Sequence, residues 1–148
     1  MKFWKQFPKS AVIKQLLFAL VLFAILIPIA LWDSGTQVKI SLDSDTVFIN
    51  SDKYRMSIRY EQIESLELTA LEDPGERIHD DFDNDIIRCG IWNNDAWGEH
   101  YICVDLDVDQ CIIAHLDDGR TFVFSTKNNG ATEELFESLQ DRLTSADS

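Results

Sequence analysis

Three aspartates at alternate positions are the residues of this 148-residue chain best suited to bind a cation. Asp81, Asp83 and Asp85 have the spacing that opens a calcium-binding EF-hand loop. That loop also needs a glycine where this chain has Ile86 and a bidentate acid where it has Trp92, so the run is not an EF-hand. A solvated acidic loop is the simpler interpretation. The alternative is a looser cation site at residues 80–85, serving a cation-binding sensor or a cation-dependent enzyme.

The cysteines allow one disulfide at most, because the chain has only Cys89, Cys103 and Cys111. If the chain forms a hairpin that turns about Asp107, Cys103 and Cys111 stand opposite each other on its outer face, where a disulfide is geometrically plausible. Unpaired thiols are the alternative. A zinc site formed by His100, Cys103, Cys111 and His115 is a further alternative. It would need a bulge, because His100 and Cys103 point to opposite faces of a strand.

Aromatic residues around a glycine turn are the most credible recognition surface. Trp92, Trp97 and Tyr101 surround Gly98 near the acidic run, and aromatic anchors with polar rims dominate protein interfaces. Packing of these rings inside the core is the alternative. The sequence contains no Gly-x-Ser-x-Gly, no His-Glu-x-x-His and no glycine-rich phosphate loop. We therefore expect no catalytic residue, no cofactor and no enzymatic activity.

A long uncharged run near the start of the chain determines where these residues are placed. Residues 16–32 carry no charge, and a helix over residues 11–32 would be about 33 Å long, enough for a hydrocarbon core of ~30 Å. A cleavable signal peptide is the alternative, but the run is longer than a signal core and Pro28 and Trp32 suit no cleavage site. We expect an uncleaved transmembrane anchor over residues 11–32.

The charges beside this run predict its orientation. All four basic residues before residue 33 lie within the first 14 positions, whereas Asp33 follows the run. The positive-inside rule then places residues 1–10 in the cytoplasm and the acidic domain that follows the span on the outer side of the cell membrane. The four residues are Lys2, Lys5, Lys9 and Lys14.

The remainder of the chain is strongly acidic. Four of the 13 basic side chains precede residue 33, so residues 33–148 carry nine basic and 26 acidic side chains and a net charge of −17. A field of this sign repels nucleic acid and anionic lipid headgroups. We therefore expect the chain to contact the membrane through residues 11–32 and to bind another protein, but not nucleic acid.

Alternating apolar residues predict a mainly β domain over residues 37–144, between a tether at 33–36 and a tail at 145–148. We expect a three-stranded meander, a helical turn at residues 60–63, further strands and a long loop over residues 71–85. The last element changes to helical periodicity, and its apolar face needs a partner surface. A partly closed barrel of about seven antiparallel strands, capped by this helix, supplies that surface. The face comprises Ala131, Leu135, Phe136, Leu139 and Leu143.

Five strings in this part of the chain resemble, in order and spacing, the bacterial pleckstrin-homology-like (PH-like) domains of small membrane proteins. The strings are SIRYEQIESL at 57–66, RCG at 88–90, AWGEHY at 96–101, DGRTFVFS at 118–125 and TEELF at 132–136. The resemblance implies two orthogonal antiparallel sheets, a capping helix and a non-catalytic interaction domain, and it brings no established ligand. Phosphoinositide-binding relatives use a basic loop between the first two strands. Here that loop is Asp43-Ser44-Asp45, which disfavours phosphoinositide binding.

Overall fold

The N-terminal unit of the chain is an apolar helix. The computed structural model describes residues 9–32, 37–51, 54–83 and 86–147, apart from the side chains of residues 9, 29–32 and 80–82. Helix α1 spans Lys9–Trp32, and none of its stretch Ser10–Pro28 is buried. Helix α1 is therefore long and apolar enough to cross a membrane, in agreement with the sequence. Residues 36–148 form a second, separate unit.

The second unit begins with a three-stranded antiparallel sheet. Strands β1 (Lys39–Leu42), β2 (Thr46–Asn50) and β3 (Arg55–Arg59) pair in chain order, which confirms the predicted meander. Every second side chain faces the core, because successive residues of a strand point to opposite faces. The predicted helical turn follows as a 3₁₀ turn over Tyr60–Gln62.

A six-stranded sheet follows, in the order β4-β8-β9-β7-β6-β5. Its strands are β4 (Ile63–Ala70), β5 (Glu76–Asp83), β6 (Ile87–Asn94), β7 (Gly98–Asp105), β8 (Gln110–Leu116) and β9 (Thr121–Phe124). The mainly β prediction is confirmed, but the described residues form nine strands rather than about seven. The expectation of antiparallel pairing throughout is also wrong. After the β8–β9 hairpin, β9 lies beside β7 and runs parallel to it.

The predicted loop over residues 71–85 is wrong for its second half, which is strand β5. Two register shifts interrupt the pairing of β5 with β6, between Arg77 and His79 and between Asp80 and Phe82. Such bulges place extra residues in one strand and break the period-two alternation of side chains. The apolar rhythm is therefore missing from this sequence although the backbone is extended.

The main core is shared by both sheets and the C-terminal helix α2 (Asn129–Ala146). The side chain of Asn128 caps this helix by accepting a hydrogen bond from the Ala131 N–H at 2.7 Å. Leu139 is fully buried, and the predicted apolar face packs on the core through Leu135, Phe136 and Leu143 as well. The helix therefore caps the core as the sequence predicts.

A second apolar cluster lies on the opposite face of the six-stranded sheet. In β8, for example, Ile112 and Ala114 face the main core, whereas Cys111 and Ile113 face this second cluster. Both faces of the sheet are therefore covered. The buried members of the second cluster are Trp92, Ile102, Val104, Cys111, Ile113 and Val123.

Candidate functional site

Residues 71–75, which we call the strap, connect the two edge strands β4 and β5. The Leu71 N–H donates to the Asp109 carbonyl at 2.8 Å, and the Leu71 side chain packs on the second cluster. Nearer the other end, the Asn94 side-chain amide donates to the Asp73 carbonyl at 2.9 Å. Gly75 has a φ of +89°, and a Cβ there would overlap the Asn93 carbonyl oxygen. The strap is thus fixed at both ends against the second cluster.

A cavity of about 300 Å³ lies between the strap and the sheet. Its apolar lining comes from both sides, with Leu71 and Pro74 on the strap and Ile102 and Val104 on β7. Leu106 completes the apolar part, and the polar residues at the cavity are Glu72, Asp73 and Arg88. A cavity lined by both apolar and charged side chains has the chemistry to receive a small amphipathic molecule or one side chain of a partner.

Trp92 anchors a cluster of charged residues beside this cavity. Its side chain is only 7% exposed, and the guanidinium groups of Arg88 and Arg77 lie 4.7 and 5.4 Å from the ring centroid. Asp83 joins the two arginines, because its carboxylate accepts from Arg77 Nη2 at 2.7 Å and from Arg88 Nε at 3.1 Å. These four residues tie strands β5 and β6 together.

We expect the Asp83→Asn substitution to lower the free energy of unfolding by about 1 kcal/mol, because the carboxylate is mostly buried and bonds two cations. The matched control is Asp118→Asn, which removes an ion pair with Arg120 whose two side chains are more than 40% exposed. We expect a clearly smaller effect on the free energy of unfolding than that of Asp83→Asn, because solvent and salt screen an exposed ion pair. Denaturant titrations of both variants at low and high salt measure the difference. Equal effects would contradict a cooperative role for Asp83.

The three aromatic residues predicted to form a recognition patch do not lie on one face. Trp92 and Trp97 both belong to the second cluster. Tyr101 packs against the main core, where its ring stacks on Phe122 with centroids 4.8 Å apart. The reason is strand alternation, since Tyr101 and its neighbour Ile102 point to opposite faces of β7. The structure therefore brings together Trp92 and Trp97 only.

His100 is buried next to the two tryptophans. Its Nδ1–H donates to the Gly98 carbonyl at 2.7 Å, and Trp97 contacts the imidazole edge-on with centroids 5.1 Å apart. Burial lowers the pKa of His100, although the bond to Gly98 opposes this, so the ring is neutral at pH 7. His100 Nε2 and Trp92 Nε1 have no hydrogen-bond partner among the described residues. His100 in β7 is the direct partner of Trp92 in β6. The acceptor His100 Nε2 and the donor Trp92 Nε1, neither of them bonded to a described residue, therefore belong to directly paired residues.

The disulfide joins Cys89 to Cys103, which corrects the predicted pairing of Cys103 with Cys111. Strands β7 and β8 are not neighbours, because β9 lies between them, and Cys103 and Cys111 face opposite sides of the sheet. Cys89 instead lies directly opposite Cys103 in the β6–β7 hairpin, with Cα atoms 4.1 Å apart. The sequence signal for this pair is the turn at residues 95–97, because residue 96 lies midway between Cys89 and Cys103.

Cys111 is the free thiol, and it is fully buried. Burial, together with the charges of Glu67 and Glu72, raises the pKa of Cys111 to about 12. Because thiolates are the reactive form, we expect a maleimide at pH 8 to leave the native protein unlabelled and to add one label after unfolding without reductant. Mass spectrometry measures this. Rapid labelling of the folded protein would contradict the buried position of Cys111.

The predicted cation site at Asp81, Asp83 and Asp85 is described only in part. The Asp83 carboxylate is bound by two arginines. The Asp81 side chain and all of Asp85 lie outside the described residues. Within the part of the chain that the structure describes, no group of three His, Cys, Asp or Glu residues is placed to hold a metal ion.

The strap and the Arg77–Asp83–Arg88 cluster are features that sequence analysis missed. Both depend on β5 being a strand, which the acidic sequence concealed. Comparisons of the chain with protein families, with characterised proteins and with solved structures each found no match. The fold and site therefore define the chain only as a mainly β protein with an N-terminal helix apolar enough to span a membrane.

Proposed function

We propose that this chain is a single-pass membrane protein with residues 1–10 in the cytoplasm and a β-rich domain outside the membrane. In this proposal the domain is a PH-like, partly closed barrel over residues 37–144 and acts as a non-catalytic protein-interaction or assembly module. The observation that carries the proposal is the buried Cys89–Cys103 disulfide in the unit that follows an apolar helix. Disulfides form and persist in oxidising compartments, which lie outside the cytoplasm. The basic residues before α1 favour the same orientation.

We infer that the partner binds at the β5 edge of the six-stranded sheet. Among the described strands, β5 is at the edge of the six-stranded sheet, with β6 as its neighbour. Edge strands are common sites for pairing with another chain. Ile78 in β5 is 52% exposed and Ile86, just before β6, is 40% exposed. These isoleucines lie on the hairpin that also carries Trp92 and its charged cluster, an arrangement of apolar anchors with a polar rim that suits protein binding.

Site-specific crosslinking in native membranes tests this surface. A photoreactive residue in place of Ile78 should give a discrete crosslinked protein, because this side chain is exposed at the proposed interface. The matched control replaces Glu133, which is exposed on α2, outside the proposed interface. The same product from both positions, or no product from Ile78, would overturn the assignment of β5 as the interface.

A further inference from the structure

The outer face of the three-stranded sheet is basic, in contrast to the rest of the acidic domain. Directly paired residues share a face, and one row across the strands consists of Lys39, Asn50 and Arg55. The next row consists of Ser41, Phe48 and Ser57, and the last pair is Thr46 with Arg59. None of these eight residues is acidic, and the acidic Asp43, whose N–H donates to the Thr46 carbonyl, lies at the far end of the sheet from Lys39 and Arg55. The average charge of the domain therefore does not describe this face.

The two cations in the first row are available for an external partner. Lys39 and Arg55 are exposed and make no ion pair with any described residue. Arg59, at the other end of the sheet, forms an ion pair with Glu61 at 3.0 Å. The free positive charge is therefore concentrated at one end of the face.

An exposed aromatic ring and a shallow depression adjoin these cations. Phe48 is 37% exposed although it is in the central strand of the sheet. Phe48, Lys39 and Arg55 line an open depression of about 610 Å³, together with Gln37, Asn50 and Ser57. An aromatic ring beside basic side chains is a combination typical of surfaces that lie in the headgroup region of a membrane.

Lys39 and Arg55 stand in the same row, so their two charges act together on a partner surface. The phosphate groups of phospholipids carry the complementary charge. Because the same chain contains a helix apolar enough to span a membrane, a lipid surface is the anionic partner that the chain itself indicates.

We propose that the outer face of the three-stranded sheet docks on anionic phospholipid headgroups of the membrane that α1 spans. Lys39 and Arg55 contact the lipid phosphates, and Phe48 inserts between headgroups. This proposal rests on the membrane anchoring proposed above. In this arrangement the acidic six-stranded sheet, with its β5 edge, remains available to other partners. Lipid binding here uses a sheet face, and the acidic turn at residues 43–45 takes no part in it.

The test uses the full chain in vesicles, with a fluorophore attached at Ser57→Cys on this face. Ser57 is exposed, and the native Cys111 is buried and does not compete for the label. Quenching by a nitroxide on the lipid headgroup reports contact with the membrane surface. We compare zwitterionic vesicles with vesicles in which about a third of the lipids are anionic. The same label at Glu133→Cys on α2 is the control position.

We expect strong headgroup quenching at position 57 in anionic vesicles and weak quenching in zwitterionic ones, with little quenching at position 133 in either. The double variant Lys39→Glu/Arg55→Glu should lower the ratio of docked to undocked protein at least about tenfold, since each basic residue near an anionic surface contributes about fivefold. The matched control Arg120→Glu/Lys127→Glu changes the net charge equally on exposed residues elsewhere and should leave docking unchanged.

Three results would overturn the proposal: equal quenching in both lipids, no effect of the double variant, or an equal effect of the two double variants. Quenching that a soluble acidic polypeptide abolishes without changing vesicle attachment would assign the face to a protein instead. If the chain does not float with vesicles at all, the membrane anchor itself has failed. Flotation without charge-dependent quenching overturns only the docking.

Discussion

Replacement of Leu139 by alanine is expected to lower the free energy of unfolding by about 2–5 kcal/mol. Leu139 is the fully buried apolar side chain of α2, and it packs in the core shared by both sheets. Truncation removes the transfer free energy of the lost methyl groups and leaves a cavity that the surrounding strands fill only in part. Denaturant unfolding of the full chain in detergent, followed by tryptophan fluorescence, measures the change.

The neighbouring substitution Gln140→Ala is the control, because Gln140 lies on the same turn of α2 and is exposed. Its effect should be within about 0.5 kcal/mol of zero, as for most surface substitutions. If Leu139→Ala proved as mild as Gln140→Ala, α2 would not cap the core. The predicted role of the apolar face of α2 would then fail together with its observed packing.

Removal of the disulfide by Cys89→Ala/Cys103→Ala is expected to lower the free energy of unfolding by about 3 kcal/mol, the value for a closed loop of about 15 residues. The two cysteines are 14 residues apart in sequence, and both are fully buried. The bridge acts chiefly on the unfolded chain, whose freedom it restricts. The same denaturant titration, with and without a reductant, measures the effect.

Reduction supplies the control for this experiment. Wild-type protein in reductant should lose about as much stability as the double variant has lost, whereas the double variant should not respond to reductant. The single variant Cys111→Ala should keep the full response to reductant, because Cys111 is the free thiol. If Cys111→Ala abolished that response, the bridge would use Cys111 and the observed pairing would be incorrect.

Local patterns in the sequence were sufficient where one periodicity extended over a whole element. The meander of β1 to β3, the turn at Tyr60–Gln62 and the apolar face of α2 all follow from such patterns. Strand β5 was missed because two bulges interrupt its alternation. The parallel pairing of β7 with β9 was missed because it depends on which strands become neighbours in the sheet, and sequence periodicity does not carry that information.

The candidate site was also predicted only in part. Trp92 and Trp97 were predicted to lie together, and both belong to the second cluster. Tyr101 was predicted to join them, but it packs on the main core, because neighbouring residues of β7 point to opposite faces of the sheet. The cysteine pairing failed because the hairpin was placed between β7 and β8 instead of between β6 and β7. Arg77 and Arg88 carried no signal in the sequence, because their partner Asp83 was assigned to an acidic loop.

The sidedness of the chain tests the account most directly. A tag is placed on the C-terminus, and protease is added to sealed cells from which any outer barrier has been removed. Digestion of the tag reports the side of the bilayer that the β-rich unit occupies. We expect protease to remove the tag from intact cells while the chain stays in the membrane fraction. Two results would contradict the proposed topology. One is a tag that protease removes only after the cells are lysed, and the other is a chain that is cleaved after residue 30 and leaves the membrane.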